Sequence, residues 1–85
     1  MANRKTYIVK ANDEGGWDVW AEESERPLNV FRIKGEAVER AAELARKQEP
    51  SQIIIYKKDG DLQEERLFGE ETGSKYRPYL GRPKP

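Results

Sequence analysis

GEAVERAAELARKQ, residues 35–48, is the stretch that decides the fold. Ala37, Ala41, Ala42 and Ala45, with Val38 and Leu44, recur at three- and four-residue spacing, which lines one face of a helix with apolar groups. Because most of those groups are single methyls, the helix can lie close on whatever it covers. Glu36 in the first turn and Arg46 and Lys47 in the last suit the helix dipole. Glu36–Arg40 and Glu43–Lys47 are i,i+4 pairs, worth a few tenths of a kcal/mol each. The start lacks a Ser, Thr, Asp or Asn cap, and Pro50 stops the helix.

Outward from the helix, strand patterns lie on both sides. Residues 6–11 and 17–22 read as a pair of strands joined by Asn12, Asp13, Gly15 and Gly16, residue types that tolerate the left-handed backbone of short loops. In the second strand Trp17, Val19 and Ala21 share one face and Asp18, Trp20 and Glu22 the other, and the first set is expected inward. A polar loop leads to a short strand at 28–32, with Phe31 and Ile33 opposite Leu28 and Val30. Beyond the helix, residues 52–57 hold three isoleucines and a tyrosine, Asp59-Gly60 signals a hairpin, and residues 62–68 return. Its register is open. A two-residue turn puts Leu62 on the face of Ile53 and Ile55, and a three-residue loop pairs it with Tyr56. The expected class is α+β: one helix on a mainly antiparallel sheet of four or five strands, in the order strand, strand, short strand, helix, strand, strand.

Eighty-five residues make a single domain with one core layer between helix and sheet. Residues 1–73 are expected to form it, leaving 74–85 as a Pro- and Gly-containing tail. The chain has no cysteine and no histidine, so disulfides, thiolate chemistry and the usual neutral-pH proton carrier are absent. A non-catalytic protein without cofactor or metal is expected. The polar N-terminus and the lack of a long apolar run argue against a signal peptide or membrane span, and a soluble cytoplasmic protein is the expectation. Charge is unevenly placed. Residues 1–73 carry 12 basic and 16 acidic groups, and residues 74–85 carry four basic groups and no acid.

Five runs stand out in order along the chain: Tyr7-Ile8-Val9, Gly15-Gly16-Trp17-Asp18-Val19, Lys34-Gly35-Glu36-Ala37-Val38, Ala41-Ala42, and Lys58-Asp59-Gly60-Asp61-Leu62-Gln63-Glu64. Together they resemble a small bacterial family, the domain of unknown function 2188. The resemblance runs from about residue 6 to residue 69 and implies a compact helix-on-sheet domain, with no activity, cofactor or catalytic residue attached. This chain has Ile33 where the family has threonine, which suggests a packing role for Ile33. The tail after Gly73 lies outside the family pattern.

The acids Asp13, Glu14, Asp18, Glu22, Glu23 and Glu25 lack the alternation of a calcium loop and read as a solvated edge. Gly15-Gly16 precedes no helix, so it is no phosphate loop. Trp20 is the telling residue. If Trp17 faces the helix, Trp20 faces away beside Ile8, and an apolar patch there needs a cover. The tail, through Tyr76, Tyr79 and Leu80 with the charge of Arg77 and Arg82 drawn to Asp18 and Glu22, a second copy in a homodimer, or another protein can each supply it. The function expected from these residues is a binding or self-association module using the open sheet face. The alternative is a nucleic-acid-binding accessory protein whose tail interleaves Lys75, Tyr76, Arg77, Tyr79, Arg82 and Lys84 as cations and stacking rings.

Overall fold

The alanine stripe does what its spacing predicts. In the computed structural model, which describes residues 4–69, Ala37, Ala41 and Ala45 have no exposed surface and Ala42 has little. They lie on helix α1 (Lys34–Lys47), between β3 (Asn29–Phe31) and β4 (Ser51–Tyr56). The other strands are β1 (Lys5–Ala11), β2 (Trp17–Ala21) and β5 (Leu62–Phe68). All five form one sheet in the order β3-β2-β1-β4-β5. Three neighbouring pairs are antiparallel, and the central pair, β1 with β4, is parallel. The sheet is therefore mixed. The parallel pair follows from α1, which carries the chain from edge strand β3 back to the start of β4 on the far side of β1.

Alternation assigns the faces. Tyr7 stands beside Ala21 and Ile53, and Val9 beside Val19 and Ile55. Val9, Val19, Ile53 and Ile55 are fully buried beneath α1, and burial of such side chains contributes roughly 1.5–3 kcal/mol each. Trp17, Phe31, Val38, Leu44 and Phe68 close the rim of this core. The assignment of Trp17 inward and Trp20 outward therefore holds.

Hydrogen bonds explain the joints. The Ser51 hydroxyl, fully buried, donates to the Ala45 carbonyl at 2.6 Å, satisfying an acceptor at the helix end. The Asn12 carboxamide oxygen accepts the Glu14 and Gly16 N–H groups, both at 2.9 Å, folding the β1–β2 turn. Gly16 is required by closeness, since a Cβ there would stand 2.7 Å from the Phe31 carbonyl oxygen. In the second hairpin Gly60 takes φ +96°, Lys57 N–H bonds Asp61 O at 2.7 Å, and Tyr56 pairs with Leu62 while Ile55 pairs with Glu64. Leu62 thus follows Tyr56, the longer-loop alternative, and Gln63 is the extra residue of a bulge.

Three expectations are corrected. Ile33 is 58% exposed, so it does not pack. It is the helix N-cap residue, with extended backbone and no side-chain cap, and its carbonyl accepts the Glu36 and Ala37 N–H groups. Arg40 turns from Glu36 to Glu43, at 2.9 Å, and donates through Nε to Asn29 Oδ1 at 3.1 Å. The β3 strand offers a polar acceptor that the helix surface lacks. Asp18 is buried rather than solvated. The division at residue 73 and the tail residues Tyr76, Arg77, Tyr79 and Arg82 lie outside the described residues.

Candidate binding face

The sheet has a second face, away from α1. Register places Thr6, Ile8 and Lys10 of β1 there, beside Trp20 and Asp18 of β2 and Gln52 and Ile54 of β4. Tyr56, Leu62, Glu65 and Leu67 continue it toward the β5 edge, and Val30 lies at the β3 edge. Ile8 stands level with both neighbours of its row, Trp20 on one side and Ile54 on the other. The two sequence candidates within the described residues, Ile8 and Trp20, are thus brought together. Leu62 and Leu67 are half exposed, and Val30 is more so.

Polar contacts fix the central ring. The Trp20 indole N–H donates to Asp18 Oδ2 at 3.3 Å, and Asn12 Nδ2 donates to Asp18 Oδ1 at 2.9 Å. Both carboxylate oxygens of Asp18 are therefore engaged, which makes its near-complete burial tolerable. The Lys10 ammonium stands 4.9 Å from the Trp20 ring centroid, within cation–π range. On the helix side, Lys34 does the same with Trp17 at 4.8 Å. Trp20 is held by its nitrogen, flanked by a cation, and left with part of its ring open.

At the C-terminal ends of β1 and β4 the outer face becomes concave. A hollow of about 290 Å³ there is lined by Ile8, Lys10, Tyr56, Lys57, Lys58 and Gly60 among others. Parallel strands of an open sheet commonly present ligand sites beyond their carboxyl ends. Sequence reading left Lys10, Ile54, Tyr56, Lys57 and Lys58 out of the candidate set. Parity alone could have supplied Ile54 and Tyr56 once Ile53 and Ile55 were assigned inward. The lysines could not be found that way, because their convergence needs the β1–β4 pairing, made by residues 46 positions apart.

Three carboxylates elsewhere are paired with cations at the surface. Glu23 is held below the ordinary carboxylate range by its hydrogen bond from Lys5, at 2.6 Å, and the same contact raises Lys5. A hydrogen bond from Arg40 lowers Glu43, and one from Arg66 lowers Glu64. These are carboxylates stabilised in their charged form, the opposite of what a general acid needs. Among the described residues, no group of three or more metal-ligating side chains is arranged to hold a metal ion. No helix among them is long and apolar enough to cross a membrane.

The edges differ from the face. β3 is three residues long. β5 is longer, but its middle is Glu64, Glu65 and Arg66. In a symmetric antiparallel pairing of two β5 strands, one residue must face its own copy. At any of these central positions that is a like-charge pair, which disfavours sheet extension.

No solved structure matches the chain. The uncharacterized protein YycD of Bacillus subtilis (strain 168) is 31% identical over 65 residues, covering 75% of this chain and 97% of that protein. A family model described as an uncharacterized protein conserved in bacteria, DUF2188, matches residues 6–68, so nearly every element from β1 to β5 falls inside it. The chain is a member of that bacterial family, DUF2188.

Proposed function

We propose that this chain is a non-catalytic binding module of the cytoplasm whose working surface is the outer sheet face, and that its partner is anionic. The carrying observation is the hollow at the ends of β1 and β4, which Lys10, Lys57 and Lys58 line together with Tyr56 and Ile8. A lining that combines apolar groups with three lysines suits a ligand that carries negative charge. The face's own buried carboxylate, Asp18, is already engaged by Asn12 and Trp20 and does not compete for those lysines. The absence of histidine and cysteine from the sequence supports a binding role over a catalytic one.

Self-association through the same face is the competing reading. The β5 edge is guarded by charge, so a homodimer would have to stack face on face and bury Lys10. Lysine is depleted from interface cores because its ammonium is costly to desolvate. Titration of the ¹⁵N-labelled full chain with tripolyphosphate separates the two. The expected result is amide shifts clustered at Ile8, Lys10 and residues 56–60 in a monomeric protein. Shifts confined to other surfaces, no shifts at all, or sedimentation as a dimer that protects Trp20 from quenching would overturn the proposal.

A further inference from the structure

We infer that the anionic partner is single-stranded nucleic acid, laid across the outer face with bases stacked on Trp20 and Tyr56 and phosphates at Lys10, Lys57 and Lys58. This rests on the reading of the face as an anion-binding surface and adds the rings. Trp20 lies on β2 and Tyr56 on β4, with only β1 between them. Trp20 is level with Ile8 and Tyr56 with Lys10, so two strand spacings and a two-residue offset put their backbone positions roughly 12 Å apart, a span that a short run of unpaired nucleotides can bridge. Both side chains are half-buried, so each offers part of its ring to solvent. Sheet faces that bear aromatic side chains stack two or three unpaired bases in this way.

The Trp20 ring is held in place. Its N–H is tied to Asp18, and Asp18 is tied to Asn12. Little rotamer freedom is left to lose when a base stacks on it. Lys10 stands on β1, the strand between the two aromatic residues, with its ammonium 4.9 Å from the Trp20 ring centroid; a base that stacks on that side of the ring displaces the ammonium toward its own phosphate. Lys57 and Lys58 supply further charge at the mouth of the hollow. The acids nearest in sequence are Asp59 and Asp61 of the same hairpin, and the Asp59 carboxylate accepts the Asp61 N–H at 3.0 Å. On the face itself the other acids are Glu65, opposite Ile54 on the outermost strand, and Glu22, exposed two residues beyond Trp20. Base-paired duplex hides the faces these rings would meet, so the surface suits single strands.

The test uses the full chain with a labelled 12-nucleotide single strand, the matching duplex, and a polyphosphate of equal charge. The expected result is single-strand binding at least tenfold tighter than either competitor, with quenching of Trp20 in a Trp17→Phe background. Trp20→Ala and Tyr56→Ala should each weaken single-strand binding about five- to hundredfold and leave polyphosphate binding unchanged. Lys10→Gln should weaken both polyanions and reduce the slope of log affinity against log salt by about 0.7. Thermal melts of each variant establish that it is folded. Equal affinity for the strand and the polyphosphate, with shifts still on the face, overturns this inference and leaves the anionic-partner proposal standing. No shift of the face with either polyanion overturns both. Dimerisation abolished by Trp20→Ala would show that a second copy is what covers the face.

Discussion

The two faces of the sheet are built from the same residue types and meet different fates. Ile53, Ile54 and Ile55 follow one another in β4, yet the outer two are completely buried under α1 and the middle one is only half covered. Tryptophan divides likewise. Trp17 closes the rim of the core, and Trp20 stands on the open side with Lys10 over its ring. On the covered face small alanines of the helix meet large aliphatics of the strands. On the open face large apolar groups are interleaved with a lysine and a tied-down aspartate. Stability therefore resides chiefly on one face.

The largest break in that comparison is Ala41→Glu, which drives a carboxylate into a seam with no exposed surface. The chain is expected not to fold, because burying an unpaired charge costs several kcal/mol of the 5–15 that a small domain typically has. Circular dichroism should show no cooperative melt, and a soluble, cooperatively unfolding variant would contradict the seam. Next comes a direct contrast within one strand. Ile53→Ala should cost about 2–5 kcal/mol in urea unfolding, and Ile54→Ala under about 1.5. Equal losses would mean that the outer face is covered in solution, and would point to a second copy.

Ser51→Ala tests the joint between helix and sheet. It removes the hydroxyl that donates to Ala45 O, but the Gln48 N–H still reaches that carbonyl at 3.1 Å. A loss of about 1 kcal/mol is expected, read as a shift in urea midpoint at constant slope. The smallest effect is at Glu64, whose carboxyl is lowered chiefly by the hydrogen bond from Arg66. A lowered folded pKa contributes stability above the unfolded value, near pH 4.3, and loses it as pH falls through the folded value. Glu64→Gln should therefore destabilise slightly at pH 6, by under about 1 kcal/mol for so exposed a pair, and less at pH 3. Urea melts at the two pH values check it, and a variant whose deficit grows on acidification would reverse the sign.

Periodicity made the covered face legible. The alanine spacing named the buried side of α1, and the alternation in 17–21 named Trp17, Val19 and Ala21 as inward. The outer candidates Ile8 and Trp20 followed from the same parity, and the structure sets them side by side. Local rules failed where a distant group decided the outcome. Asp18 looked solvated because Asn12, which donates to it, meets it only after the hairpin closes. Ile33 looked like a packing residue because its apolar side chain says nothing of the direction in which a cap position points. Arg40 looked bound to Glu36 because the Asn29 oxygen belongs to another strand.

The sequence by itself determined the elements, the inward and outward residues of α1 and β2, and the family, because those depend on spacing along a single stretch of chain. Tertiary structure alone decided that β1 and β4 run parallel at the centre and that Leu62 pairs with Tyr56. It alone gathered Lys10, Lys57 and Lys58 around one hollow. The physical reason is distance along the chain. Pairing of β1 with β4 is settled by how α1 spans the sheet and buries its methyl groups, a global packing outcome that no local pattern encodes.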